Sequence, residues 1–366
     1  MKFKILKSDF LDALSMTQGI VDKKNVMPIL ANILIEAEEQ MPFVKISATD
    51  LEVAVHVQVQ AEIEIAGKIT VNAKNIHNIV RESASDEIHI NTTEGNRVEI
   101  NSKQSEYKIL GLDAKEFPNL PTIDGEMIRL PSDQVAEMFE RVCFAMSADE
   151  TRYHLNGILL EKDEKETVMV ATDGHRLSYV KHALDLSRMK QNKIIIPRKG
   201  VVELRRMVVN EKSIDFCVSD RHIFIQTEKQ TLFIRLIEGN YPDYNRVIPK
   251  ENPISIEIPK NELLGALKRV SLLANDNTKG VSLYFCNDSL SLSTSNPEIG
   301  EAKEDIVLKY NGPVINIGFN ARYFIDVLNI VPDDNIVISL KDELSPCLIT
   351  SPSDVGFKSV IMPMRM

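Results

Sequence analysis

Residues 3–14 read Phe3-Lys4-Ile5-Leu6-Lys7-Ser8-Asp9-Phe10-Leu11-Asp12-Ala13-Leu14, and the apolar period changes within them. Phe3 and Ile5 alternate with lysine, as in a strand with one buried face, whereas Phe10 and Leu14 stand four apart, as on one side of a helix. The same passage recurs as Ile128-Arg129-Leu130 leading into residues 132–139, and as Ile256-Glu257-Ile258 leading into residues 261–267. In each copy a polar residue, Ser8, Ser132 or Asn261, stands where it can cap the helix. The starts lie about 125 residues apart, a period to be read before any local motif.

Further landmarks keep this register. Ala48-Thr49-Asp50 returns as Ala171-Thr172-Asp173 after 123 residues, and Ser293-Thr294-Ser295 follows 122 later. A second helix is expected near Asn72, Pro197 and Asn320, with inward faces Ile76/Ile79/Val80, Val201/Leu204/Arg205 and Phe324/Val327/Leu328. A closing strand falls at 107–110, 233–236 and 359–362. The first two are followed by stiff proline connectors, Phe117-Pro118-Asn119-Leu120-Pro121 and Tyr241-Pro242-Asp243-Tyr244. Period-two runs between the helices, such as 52–59 and 289–293, read as half-buried strands. The sequence therefore predicts an α+β fold of three similar sheet-rich domains, 1–125, 126–250 and 251–366, each with two helices.

Composition bounds the function. The chain has 366 residues, 43 basic and 53 acidic, for a formal charge of −10; at 43% hydrophobic it can fill real cores and is not a disordered chain. No apolar run is long enough to span a membrane and no apolar signal core opens the chain, so a cytoplasmic protein without a membrane partner is expected. Cys143, Cys217, Cys286 and Cys347 form no CxxC pair and no zinc-like spacing with histidine. They read as reduced structural thiols, and no metal or cofactor is expected.

Charge is uneven along the repeats: residues 1–125 sum to −6, 126–250 to +1 and 251–366 to −5. On the second helices, Lys74 and Arg81, then Lys199 and Arg206, then Arg322 with Asn329 occupy corresponding outer positions. A solvated face is the ordinary meaning of scattered lysines. Five basic residues at six repeated positions of an acidic protein point instead to a shared anionic ligand. No zinc finger, homeodomain or RNP motif accompanies them, so backbone contact without base readout is the expectation.

Three such units, together with Ala171-Thr172-Asp173-Gly174-His175-Arg176-Leu177, the connector Tyr241-Pro242-Asp243-Tyr244-Asn245-Arg246-Val247 and the terminus Val360-Ile361-Met362-Pro363-Met364-Arg365-Met366, resemble the bacterial DNA polymerase III beta subunits, the sliding clamps. The resemblance covers the whole chain. It implies the DNA clamp fold, with two chains joined head to tail in a six-domain ring whose helices line the hole. Size agrees: a third of this chain, 122 residues, has a diameter of about 35 Å, so six domains enclose a hole of about 35 Å and three only about 5 Å. By resemblance, Lys24, Lys74, Arg81, Lys199, Arg206, Lys268, Arg269 and Arg322 would face duplex DNA, and Leu272 and Leu273 would meet Tyr107 and Ile109 across the dimer contact.

The same resemblance implies a groove that takes a short hydrophobic peptide from the polymerase III catalytic subunit, the clamp loader, translesion polymerases and mismatch-repair proteins. Its positions here are Leu155, Thr172, Gly174, His175, Arg176, Leu177, Pro242, Arg246, Val247, Val360, Met362, Pro363, Met364 and Arg365. Methionines adapt to varied apolar partners, and arginine stems pack while their heads reach peptide oxygens. The chain departs from the family at His154, where a tyrosine is common, and at the acidic Asp149-Glu150; its third unit is thin in lining cations.

Two other classes share part of this pattern. Asp173 and His175 could serve a hydrolase or a metal, but no HExxH, GxSxG or GxxxxGK[ST] completes such a site. A protein-interaction scaffold would use the C-terminal groove without any need for the repeated basic positions.

Overall fold

Strict alternation becomes strand. Val53–Gln60 buries Val55, Val57 and Val59 and turns Gln58 and Gln60 to solvent, and Ser289–Asn296 buries Leu290, Leu292 and Thr294 in the same way. The computed structural model describes residues 1–21, 27–163, 166–209 and 211–365. Among these are six α-helices: α1 Lys7–Gln18, α2 Ala73–Glu82, α3 Ser132–Cys143, α4 Arg198–Val208, α5 Lys260–Val270 and α6 Ala321–Ile330. Each repeat thus carries the two helices expected of it, and the strands pair antiparallel into three sheets.

Packing gathers the chain into two compact units. The first comprises Met1–Asp133, Arg188–Gln191 and Lys199–Leu236. Its thirteen-stranded sheet runs from Ile128–Pro131 through Ser213–Val218, His222–Gln226 and Gln230–Arg235 into Val53–Gln60, Phe43–Thr49, Asn32–Ala37 and Gly67–Asn72. It continues through Ser105–Leu112, Arg97–Ser102, Glu87–Thr93 and Lys2–Leu6 to Glu62–Ile65. The second unit, Gln134–Ser187, Asn192–Arg198 and Ile237–Met366, holds an eight-stranded sheet and a four-stranded sheet of Gly300–Val307, Ser289–Asn296, Gly280–Cys286 and Ile315–Asn320. The eight-stranded order is Lys193–Pro197, Gly157–Asp163, Glu166–Thr172, Arg176–His182, Phe357–Ile361, Cys347–Thr350, Asn335–Leu340 and Ile254–Pro259.

Successive repeats are therefore joined by backbone ladders. Val53 and Ala54 pair with Ile234 and Phe233 in the first unit, and Arg176 and Leu177 pair with Ile361 and Val360 in the second. Helices α1 and α2 pack together, as do α5 and α6, over apolar faces that include Phe10, Leu14, Ile76 and Val80 and, later, Leu263, Leu267, Phe324 and Val327. In α4 the buried face is Val201, Leu204, Met207 and Val208, so the expected Arg205 gives way to Met207.

The capping reading is corrected for the first helix of each repeat. Leu6 and Pro259, the last strand residues, occupy the cap positions of α1 and α5 and make no side-chain bond, because strand passes into helix without a turn. Instead, the first helical amide of each copy donates to a neighbouring carbonyl: Lys7 to Asp86 at 2.8 Å, Ser132 to Lys212 at 3.2 Å and Lys260 to Asp334 at 2.8 Å. Asn72 and Asn320 do cap α2 and α6 with their side chains. Cys217 and Cys347 are buried, Cys143 and Cys286 half-buried, and all four are free thiols.

One core group makes stability depend on pH. His56 bonds Ser47 Oγ at 2.7 Å and meets the Phe233 ring edge-on at 4.9 Å. Burial first, and then Lys45, lower its pKa from 6.5 to about 4. Between those values the unfolded chain binds the extra proton, so stability is complete above about pH 6.5 and falls towards pH 4, by up to about 3 kcal/mol. We expect a H56Q variant to lose that slope in thermal melts between pH 4 and 6.5; an unchanged slope would refute the assignment.

Candidate functional site

The recess expected around His175 starts from a tight turn between the strands Glu166–Thr172 and Arg176–His182. Thr172 Oγ1 accepts the Gly174 amide at 3.1 Å and donates to the Arg176 carbonyl at 2.6 Å. Asp173 Oδ1 accepts the amides of His175 and Arg176 at 2.9 and 3.0 Å. Gly174 has φ +91°, in the left-handed region that favours glycine. The turn leaves Gly174 and His175 exposed, and the Met362 amide donates to the His175 carbonyl at 2.9 Å. The C-terminal segment is thereby tied to the turn. Beyond it, the Met364 amide donates to Gly318 O at 2.8 Å.

Leu155, Leu177 and Val360 are buried. Leu177 and Val360 share one apolar cluster with Tyr244, and Val247 packs against it. Thr172, Met362, Pro363 and Met364 are half-buried, while Pro242, Arg246 and Arg365 are exposed. The connector is anchored by Tyr244, whose hydroxyl donates to Glu161 at 2.9 Å and whose pKa is raised by burial. Arg246 pairs with Asp243 at 3.0 Å.

Arg176 departs from expectation. Its Nε bonds Asp173 Oδ2 at 3.1 Å, Nη1 bonds Asp326 Oδ2 at 2.6 Å and Nη2 bonds the Phe144 carbonyl at 2.6 Å. The guanidinium lies 4.5 Å from the Tyr323 ring centre and 5.3 Å from that of Phe144. All three nitrogens are engaged, so the head holds the turn on α6 and spends three of its five N–H groups in doing so. Asp326 and Tyr323 escaped the sequence reading, although their i, i+3 spacing on α6 puts both on one helix face. Arg141, on α3, is a second such strut: it donates to the Ile330 carbonyl and pairs with Asp354 at 3.3 Å.

The expected DNA-facing cations divide. Lys74, Arg81, Arg206, Lys268, Arg269 and Arg322 are exposed on α2, α4, α5 and α6. Arg81 pairs with Glu82 at 3.0 Å, Arg206 with Glu203 at 2.8 Å, and Arg269 with Glu304 through two bonds of 2.9 and 2.5 Å. Lys199 is half-buried and bonds the Asp50 carboxylate and the Ile20 carbonyl, so it stabilises the fold within the first unit. Lys24 lies outside the described residues.

Among the strand edges that lack a full partner, two carry or border the residues expected at the dimer contact. In Ser105–Leu112 the outer side pairs with Gly67–Asn72 only at Gly111 and Leu112; a Cβ at Gly111 would sit 2.4 Å from the Thr70 carbonyl, so this approach requires glycine. Tyr107 and Ile109 lie half-buried on the free stretch, and Leu110 is 71% exposed. The other edge is Gly300–Val307, which pairs only with Ser289–Asn296. Beside it Leu273 is half-buried and Leu272 is 77% exposed, so that leucine is not core.

Asp173 spends both oxygens on its own turn and on Arg176, which leaves His175 without an oriented carboxylate for acid–base work. The described residues thus offer exposed cations on four helices, a turn tied to the C-terminal segment and unpaired strand edges. Three family models cover the chain: the DNA polymerase III beta subunit N-terminal domain matches residues 1–121, the central domain 129–243 and the C-terminal domain 245–365. The chain belongs to the DNA polymerase III beta subunit family, the sliding clamps, which are non-catalytic processivity factors. It is 31% identical to the beta sliding clamp of Vibrio cholerae and 32% identical to that of Caulobacter vibrioides, each over the full length of both chains. Its structure matches the crystal structure of the DNA polymerase sliding clamp from Bacillus subtilis with a TM-score of 0.95 at 28% identity, covering 100% of this chain and 99% of that one.

Proposed function

We propose that two copies of this sliding clamp close head to tail into a ring of six domains, 1–125, 126–250 and 251–366 from each chain, around duplex DNA. The observation that carries the reading is that an unpaired strand edge in the first repeat and another in the third are each bordered by a strongly exposed leucine, Leu110 and Leu272. Because the edges differ, their contact is heterologous, and two chains close it by pairing each of these edges with the partner's other one. Lys74, Arg81, Arg206, Lys268, Arg269 and Arg322 then face the duplex as exposed cations in an acidic protein. Encirclement holds the ring in place, so weak and non-specific phosphate contacts suffice and permit sliding.

The recess around His175 takes short hydrophobic peptides from the polymerase III catalytic subunit, the clamp loader, translesion polymerases and mismatch-repair proteins, in the cytoplasm. The half-buried Met362, Pro363 and Met364, held by backbone bonds to His175 and Gly318, supply an adaptable apolar wall.

Encirclement makes a prediction that tight binding does not. Protein loaded on a circular template should be retained there and should run off once the circle is cut; equal retention on the cut template would refute the ring. Deleting residues 362–366 should abolish stimulation of the polymerase while native mass still reports the dimer. Full stimulation by the truncated chain would remove the C-terminal segment from the site.

A further inference from the structure

The turn that shapes the recess around His175 is built twice. Thr49 Oγ1 accepts the Leu51 amide at 3.0 Å and donates to the Val53 carbonyl at 3.1 Å. Asp50 Oδ1 accepts the amides of Glu52 and Val53 at 3.0 and 2.7 Å. These are the bonds that Thr172 and Asp173 make one period later. The Arg235 amide donates to the Glu52 carbonyl at 2.8 Å, as Met362 does to His175, and the adjoining strands pair in the corresponding register. The proline connector 117–121 runs beside the first copy as 241–244 runs beside the second.

One residue breaks the correspondence. Leu51 holds the left-handed backbone that Gly174 holds in the second copy, φ +76° against +91°, a conformation a leucine avoids. The strained residue is 49% exposed and borders a cavity of about 360 Å³ whose apolar lining includes Leu120 and Phe233. Arg221, His222 and Arg235 also line it, against one carboxylate, Glu52. Burial, and then the guanidiniums of Arg235 and Arg221, hold the His222 pKa below its ordinary value. Two guanidiniums and an imidazole thus line the cavity with one carboxylate, in a chain that carries −10 overall.

We propose that this cavity is a second docking site, taking a short extended peptide that carries an apolar side chain flanked by carboxylates. An apolar floor selects the side chain and two arginines against one glutamate select the charge. That the occupant is a peptide rests on the proposed role of the repeat-related recess; the charge preference does not.

The probe is a fluorescein-labelled Asp-Leu-Phe-Asp-Asp peptide, titrated into the full-length protein beside its Asn-Leu-Phe-Asn-Asn analogue and read by polarisation. The acidic peptide is expected to bind about tenfold more tightly than the analogue, and R221E/R235E to weaken it by about tenfold or more. L51G, which relaxes the backbone and removes an apolar contact, should weaken it about threefold in a chain that melts no lower than the parent. Deleting residues 362–366, which removes the wall of the other recess, should leave one saturable site with the same charge preference and the same loss on R221E/R235E. Binding that is lost on that deletion but indifferent to R221E/R235E would place the peptide in the other recess, overturning the second site while sparing the first. Equal affinity for the two peptides, or no saturable binding at all, overturns the proposal. So does an R221E/R235E chain that loses affinity for a short DNA duplex and not for the peptide.

Discussion

Leu272→Glu is expected to turn the dimer into a folded monomer. The side chain is 77% exposed in the single chain, on a short helical turn, Ser271–Leu273, that follows α5 and packs beside the open edge Gly300–Val307, so no intrachain core is disturbed. In the proposed ring it is buried against the edge that carries Tyr107 and Ile109. Burying one leucine contributes about 1.5–3 kcal/mol, and a carboxylate in its place must also be desolvated. Each dimer holds this contact twice, so the loss is about 6 kcal/mol and raises the dimer Kd by roughly 10⁴. Native mass at submicromolar concentration, with circular dichroism as the check on folding, reads the result. A dimer persisting at nanomolar concentration would show that Leu272 lies outside the interface.

The second large effect is expected of Arg176→Ala. The guanidinium is flanked by Asp173 and Asp326, whose side chains are 17% and 28% exposed, and its own side chain is 10% exposed. Removing it leaves two carboxylates and the Phe144 carbonyl short of a donor in a largely dry site, which costs about 3–5 kcal/mol. For a unit of this size that lowers the Tm by roughly 10 °C. Peptide binding at the recess should fall with it, because the 172–176 turn loses its support on α6. Arg176→Lys should recover only part, since one ammonium cannot reach three acceptors in a plane. A Tm within about 2 °C of the parent would mean that the three bonds are replaceable by water.

The repeat was legible because it is written in local signals: the change of period after Ile5, Leu130 and Ile258, the asparagines before α2 and α6, and the prolines after each closing strand all act over a few residues. What escaped depends on partners distant in the chain. Helical spacing places Lys199 on an outer face of α4, but only the approach of Asp50, 149 residues away, reveals that its ammonium is engaged. Glu304 and Arg269 meet in the same way across 35 residues. Arg176 read as a wall of the recess because its neighbours are recess residues, whereas its three acceptors come from three separate segments. Ser8 failed as a cap because strand runs directly into helix, a junction that the polar residue itself does not disclose.

The ladders that join Gln230–Arg235 to Val53–Gln60 and Arg176–His182 to Phe357–Ile361 bear on how the polypeptide can be divided. The central repeat gives strands to both compact units, so it is expected to melt with its neighbours and not by itself. Excised alone, it would present two raw hydrogen-bonding borders where its neighbours had been, and such a fragment would tend to stack on copies of itself.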